Sequence, residues 1–206
     1  DKNAFRENEL KQITIPNSIT TIEEGVFAVN KLETLVIPTT ITTIGKQSFA
    51  ANKLKSLTIP NSVTSIQYGA FDTNELTEVT IPNSITVIEE RVFAKNKLTE
   101  VNFPNSITTI GKNSFVLNQF KKMTIPNSVT IIKNGAFQQN LIESLDLPNS
   151  LITIEQTAFW NNKLTEVTIP NSVTYIGTNA FAYNELTSFH LPENHQGKFY
   201  MWTDGT

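Results

Sequence analysis

The sequence predicts a single solenoid of stacked, nearly identical coils, because three residue types recur at one fixed spacing. An Asn appears every 22 residues from Asn8 to Asn184 without an insertion. A Phe stands three residues before each of these Asn residues, and a Pro stands eight residues after it. Self-similarity at a short fixed period is the signature of repeat architectures. We number each coil from its Asn as position 1, which predicts about nine coils across residues 1–192.

Each coil has its own pattern of apolar positions and turns. Apolar residues occupy positions 3, 6, 8, 12, 15 and 20, and in coil 4 these are Leu76, Val79, Ile81, Ile85, Ile88 and Phe93. The alternation at positions 6 to 8 predicts a short strand, which the Pro at position 9 ends because it has no N–H to donate. An Asn-Ser turn and a second short extended segment at positions 12 to 15 follow. Position 16 is often Gly, as at Gly45, Gly111 and Gly177, which suits a tight bend, and positions 17 to 22 leave room only for a 3₁₀ or single-turn bend.

One coil buries too few side chains to offset the conformational entropy of ordering its backbone, so the coils must stack. Stacking places the strands in parallel and turns each apolar position into a continuous row. We interpret the repeated Phe as the spine of the core. We interpret the repeated Asn as a structural side chain that bonds the backbone groups of a loop.

The pattern of each coil is specific enough to indicate a family. Coil 8 carries it in full, with Leu164, Val167, Ile169, Pro170, Asn171, Ser172, Val173, Thr174, Ile176, Gly177, Ala180 and Phe181. Residues 4–192 thereby resemble the BspA-like, Treponema pallidum type of bacterial leucine-rich repeat, although common versions have Cys in place of the repeated Asn and many have one residue more per coil. The resemblance implies short parallel strands on a concave face and short extended or 3₁₀ segments on the convex side. It also implies a place in bacterial surface proteins that attach to host cells or matrix.

The composition excludes several classes of function. The net charge of −3, with 16 basic and 19 acidic residues, gives no footprint for nucleic acid. The absence of cysteine excludes disulfides and thiolate metal sites, and no apolar run is long enough to span a membrane. The two histidines, His190 and His195, have no Cys or acidic cluster beside them, and there is no Gly-rich phosphate loop. We therefore expect no enzyme, no cofactor and no metal site.

Binding surfaces remain as candidates for function. The resemblance implies that the outward side chains of the concave strand stand at positions 4, 5 and 7, and we call these side chains the polar strip. Its candidate interaction residues are Lys55, Thr77, Glu78, Thr99, Glu100, Lys121, Lys122, Glu143 and Glu166. The strip lacks the aromatic residues of tight protein interfaces, so it is either an ordinary Thr-rich strand face or a weak, polar, multivalent contact surface.

A second candidate surface is apolar and consists of Leu117, Trp160, Tyr175 and Tyr183. These side chains either pack over the bend of their coils or form an exposed patch, and exposed apolar patches are often interaction sites.

The function that we expect is a non-catalytic binding module of a bacterial cell-surface protein, extracellular or on the cell surface. Its partner would be a protein or glycan ligand on a host cell or in the matrix. A rigid spacer that presents a neighbouring module and an intracellular protein-interaction scaffold are the alternatives. The chain begins within a coil, so we expect it to belong to a larger protein. Residues 193–206 break the pattern and are expected to cap the solenoid or to link it to another domain.

Overall fold

The computed structural model describes residues 1–192, which form one stack of parallel coils with two series of short strands. Strands at positions 14 and 15 form the back ladder: β1 (Thr21–Ile22), β2 (Thr43–Ile44), β3 (Ser65–Ile66), β5 (Val87–Ile88), β7 (Thr109–Ile110), β9 (Ile131–Ile132), β11 (Thr153–Ile154) and β13 (Tyr175–Ile176). Strands at positions 5 to 7 form the front ladder: β4 (Glu78–Thr80), β6 (Glu100–Asn102), β8 (Lys122–Thr124), β10 (Ser144–Asp146), β12 (Glu166–Thr168) and β14 (Ser188–His190).

All strand pairs are parallel and offset by one 22-residue coil, as Thr21 with Thr43 shows. The back ladder runs in the order β1-β2-β3 and, separately, β5-β7-β9-β11-β13. The front ladder pairs β4 with β6, β8 with β10 and β12 with β14. Residues 8–183 make eight complete coils, and a ninth is described as far as Pro192. The predicted solenoid of 22-residue coils is confirmed, whereas the cap or linker at 193–206 lies outside the described residues.

The front strands differ in two respects from the sequence-based expectation. They cover positions 5 to 7 rather than 6 to 8, because the Pro at position 9 has no N–H with which to extend the ladder. They also begin only at coil 4, and coil 3 contributes an isolated bridge between Thr58 and Thr80. The alternation itself is as predicted: Val79 points inward and is buried, between exposed Glu78 and Thr80.

The core is organised around the repeated Phe. Consecutive rings from Phe5 to Phe181 stack with their planes 4–16° apart and their centroids 5.3–5.9 Å apart. Offset stacking at this separation is favourable beyond the burial of the ring area. The row joins every coil to the next, so the predicted Phe spine is confirmed.

The repeated Asn closes the loops between the Phe and the next strand. The Asn118 side chain accepts a hydrogen bond from the Leu98 N–H at 3.0 Å. Its amide nitrogen donates to the Phe93 and Phe115 carbonyl oxygens at 2.9 and 3.2 Å. Because one side chain bonds backbone groups of two coils, the structural role predicted for these Asn residues is confirmed.

The bend after the back strand is not located where the sequence predicted it. Left-handed backbone occurs at positions 18 and 22, for example with φ +62° at Gly135 and φ +53° at Thr157. The glycines at position 16 have no positive φ; a Cβ on Gly111 would instead lie 2.1 Å from the Ile88 carbonyl oxygen of the preceding coil. Close approach of two coils, not backbone curvature, therefore explains the glycines at position 16.

The segment that follows forms single hydrogen-bonded turns. In coil 6 the Ala136 N–H donates to the Lys133 carbonyl at 3.1 Å, and the Gln138 N–H donates to the Gly135 carbonyl at 3.0 Å. The left-handed residue between the two bonds prevents a continuous 3₁₀ helix. Residues 1–192 contain no helix, and hence none that is long and apolar enough to cross a membrane.

Candidate interaction surface

The polar strip lies on the front ladder, with every side chain that the sequence analysis selected exposed to solvent. The alternation along each front strand sends position 6 into the core and positions 5 and 7 outward. The exposed candidates are Lys55, Thr77, Glu78, Thr99, Glu100, Lys121, Lys122, Glu143 and Glu166.

Within the strip, strand pairing places like charges side by side. Glu78 on β4 lies directly opposite Glu100 on β6 in the parallel register. One coil further along, Lys121 and Lys122 are adjacent in the chain, and Lys122 pairs with Ser144 rather than with an acid. Like charges on directly opposed strand positions destabilise a sheet, so this arrangement does not contribute to the stability of the fold.

Charges on other faces of the solenoid are paired from coil to coil. Lys97 donates to the Glu75 carboxylate at 2.9 Å, and this hydrogen bond holds the pKa of the Glu75 carboxyl below its usual range. Lys2 donates to the Glu24 carboxylate at 2.8 Å, and this hydrogen bond lowers the pKa of the Glu24 carboxyl and raises the pKa of the Lys2 ammonium group. These pairs are exposed and stabilise the fold little.

The strip, in contrast, contains one pair, between the His190 imidazole and Glu166 at 3.1 Å. Among residues 1–192, six of the candidates form no ion pair: Lys55, Glu78, Glu100, Lys121, Lys122 and Glu143. Their charges are therefore available to a partner.

A groove of about 440 Å³ crosses the strip between coils 7 and 8. Its walls carry the carboxylates of Glu143, Asp146 and Glu166. It lies where β10 and β12 are not hydrogen-bonded to each other, since each pairs only with the strand on its far side. Asp146 was not among the selected residues, although its outward position 7 was a signal that could have included it.

The apolar patch is only partly assembled. Trp160 and Tyr183 contact each other across coils 7 and 8, with ring centroids 5.2 Å apart, and Tyr183 remains 67% exposed. Leu117 is three coils before Tyr183, and Tyr175 lies on β13, away from the bend that carries the other three side chains. The structure therefore brings two of the four candidates together.

The described coils bring no group of side chains together as a metal site would require. Within residues 1–192, no three His, Asp or Glu side chains are grouped as metal ligands would be. The His190 imidazole is within hydrogen-bonding distance of the Glu166 carboxylate, and His195 lies outside the described residues. Four of the serines at position 11 bond the preceding coil, as when Ser106 donates to the Ile85 carbonyl at 2.7 Å, whereas the buried hydroxyls of Ser62 and Ser128 have no hydrogen-bond partner.

Comparisons with known proteins agree with this geometry. Three solved bacterial structures share the fold: a leucine-rich repeat protein from Bacteroides ovatus (20% identity, 97% of this chain and 70% of that one, TM-score 0.52), a leucine rich cell surface protein from Faecalibacterium prausnitzii (18%, 82% and 62%, 0.52) and the pneumococcal vaccine antigen PcpA (21%, 91% and 58%, 0.57). This chain thus spans less than two thirds of the last two. No curated protein sequence matches it.

The family model described as "BspA type leucine rich repeat region" matches this sequence in six copies, over residues 1–119 and 110–198. This match covers nearly the whole chain and describes a repeat fold that is typically a non-catalytic interaction module rather than an enzyme. The chain therefore belongs to the BspA-type family of leucine-rich repeat proteins.

Proposed function

We propose that this chain is the non-catalytic binding region of a bacterial cell-surface protein and that the polar strip attaches it to protein or glycan ligands on host cells or matrix. Among the described residues, the strip is a long charged surface with a single internal charge pair, between His190 and Glu166.

The observation that carries the proposal is the set of unpaired charges in coils 4 to 6. Glu78 and Glu100 face each other on paired strands, and Lys121 and Lys122 follow in the next coil. Repulsion between the two carboxylates costs stability, and none of the four side chains has an oppositely charged partner in the described residues. A ligand with complementary charges would relieve this repulsion on binding, which gives the contact a source of free energy and specificity.

The surface location is supported by the family and by the descriptions of two solved structures that share its fold. The structure from Faecalibacterium prausnitzii is described as a cell surface protein, and the pneumococcal one as a vaccine antigen. Both share only the fold with this chain, so location on a bacterial surface is part of the proposal.

The test is binding of the purified chain to epithelial cells and to immobilised matrix proteins. The key variant changes Glu78, Glu100, Lys121 and Lys122 to Ala. A matched control changes Glu24, Glu90, Lys2 and Lys112 to Ala, which removes the same charges from ion pairs outside the strip. Neither set of substitutions alters the net charge.

We expect saturable binding that weakens at least tenfold in the strip variant and persists in the control, because only the strip variant removes charges that are free to meet a ligand. The strip variant should melt no lower than the unmodified chain, since it also removes the repulsion between Glu78 and Glu100. Equal binding by both variants would contradict the proposal.

A rigid spacer is the second candidate, and the continuous Phe stack and Asn rows favour it because they join every coil to the next. A chain that binds neither cells nor matrix would support this reading. Binding confined to cytosolic proteins would instead favour an intracellular interaction scaffold.

A further inference from the structure

We propose that the junction between coil 3 (residues 52–73) and coil 4 (residues 74–95) is a latch: the ion pair of Asp72 and Arg91 closes it, and the coils before it separate from the rest as one unit when it opens. This inference does not depend on the binding role of the strip.

The first observation is a gap in strand pairing. In the back ladder, β3 and β5 are not paired, and the ladder divides there into separate sheets of three and five strands. In the front ladder, the same two coils share only the isolated bridge between Thr58 and Thr80. Every other junction in residues 8–192 is spanned by at least one pair of strands.

Main-chain bonds beside the back ladder show the same gap. At the preceding junction the Thr64 N–H donates to the Thr42 carbonyl at 2.9 Å, and at the following junction the Thr108 N–H donates to the Thr86 carbonyl at 2.8 Å. The equivalent bond from Thr86 to Thr64 is absent from the described coils. Coils 3 and 4 are therefore joined by fewer backbone bonds than their neighbours.

The Phe spine gives an independent measure of the spacing between coils. Phe71 and Phe93, which stack across this junction, have centroids 5.9 Å apart. The other consecutive pairs of the spine lie 5.3–5.6 Å apart. The coils on either side of the gap in pairing are thus also the most widely separated.

A partly buried ion pair spans the same junction. The Arg91 guanidinium donates from Nε and Nη2 to the Asp72 Oδ2 at 2.9 and 2.7 Å. The side chains are 25% and 11% exposed, whereas every other ion pair in residues 1–192 includes more exposed groups. Breaking this pair leaves the buried Asp72 carboxylate without a cationic partner, which is unfavourable even though the Thr73 hydroxyl still donates to it.

These observations define the two states of the latch. In the closed state, the ion pair and the bonds on the side of the bend, such as Phe71 N–H to the Val92 carbonyl at 3.0 Å, join coil 3 to coil 4. In the open state, coils 1 to 3 lose their stacking surface together, because the stability of a repeat protein depends on the interfaces between neighbouring coils. Opening also separates Lys55 from Glu78, which lie on opposite sides of the junction in the polar strip.

Hydrogen exchange of the unmodified chain tests the latch, with the backbone amides of the repeated Phe as matched reporters. The amides of Phe49, Phe71, Phe93 and Phe115 each donate to the next coil. The latch predicts an abrupt change in amide exchange rate at the junction. The amides of Phe49 and Phe71 should exchange at one common rate, and those of Phe93 and Phe115 at least tenfold more slowly, after correction for local sequence. A smooth gradient along the chain, or equal rates on both sides of the junction, would overturn the proposal.

The variant Arg91→Gln should raise exchange at Phe49 and Phe71 roughly 100-fold and leave Phe115 unchanged. Its control is Lys97→Gln, which removes the exposed ion pair with Glu75 across the following junction, between coils 4 and 5, and should change neither rate. Equal acceleration at all reporters in Arg91→Gln, unfolding of the whole chain, or the same effect from Lys97→Gln would count against the latch.

Discussion

The repeated Asn shows how one side chain can decide the stability of a loop. Asn118 is 5% exposed and bonds the Leu98 N–H together with the Phe93 and Phe115 carbonyls. These backbone groups are away from water, and no strand or helix bond is available to satisfy them. The side chain therefore replaces the secondary structure that the loop lacks.

Substitution of Asn118 by Ala should destabilise the chain by about 1–3 kcal/mol, because it leaves the buried Leu98 N–H without a partner. The Phe93 and Phe115 carbonyls each lose one bond but still accept one, from Asn96 and Asn140 respectively. The measurement is the free energy of unfolding in urea. Asn127→Ala is the control, since Asn127 lies at position 10, is exposed and should contribute less than about 0.5 kcal/mol. Equal losses in the two variants would show that the hydrogen bonds of Asn118 are not what stabilises the loop.

At the scale of the element, the bend keeps the same left-handed backbone at position 18 whichever residue type stands there. Glycine occupies position 18 in only some coils, as at Gly25 and Gly135, and other coils place Gln47, Arg91 or Thr157 there with φ between 50° and 60°. A β-branched residue in the left-handed region is strained. The coils share one bend because stacking on their neighbours imposes it.

Replacement of Thr157 by Gly should therefore stabilise the chain by roughly 0.5–1 kcal/mol, since relief of the strain exceeds the entropy that Gly adds to the unfolded state. The same replacement at Thr153, on β11 of the same coil, should destabilise it by about 1 kcal/mol because its strand backbone needs no left-handed residue. Both values come from the midpoints of thermal unfolding. If the two variants shift the midpoint in the same direction, strain at position 18 is not the cause.

For the whole molecule, the uniform period makes the coil an exchangeable unit. The 22-residue spacing has no insertion, so every apolar position meets the same position in the next coil. Stability should consequently grow with the number of coil interfaces.

Duplication of coil 5, by insertion of a second copy of residues 96–117 after Leu117, should preserve the fold. The added coil extends the Phe and Asn rows without a change of phase, and it should lengthen the particle by about 4.8 Å. Small-angle scattering measures the length, and circular dichroism measures unfolding. Insertion of residues 96–106 alone should disrupt cooperative unfolding because it shifts all later Phe residues out of the spine; a fold unaffected by this insertion would contradict the argument.

Much of the fold could be predicted from the sequence because a repeated position must meet a repeated environment. The period, the inward positions, the Phe spine and the Asn rows all follow from that rule. Strand alternation accounts for positions 5 and 7 of the polar strip, position 4 was implied by the family resemblance, and the candidate side chains at all three positions are exposed. Whether these residues bind a ligand stays a prediction, as do the surface location and the role of residues 193–206.

The sequence by itself determined which residues of each coil face the core, because burial is common to all coils and selects the same residue types in each. Only the tertiary structure decided which coils are well joined. The unpaired strands β3 and β5, the groove between β10 and β12 and the pair of Asp72 with Arg91 are features of the contacts between adjacent coils. Such features arise when whole coils pack against each other, and no single coil contains the information that sets them.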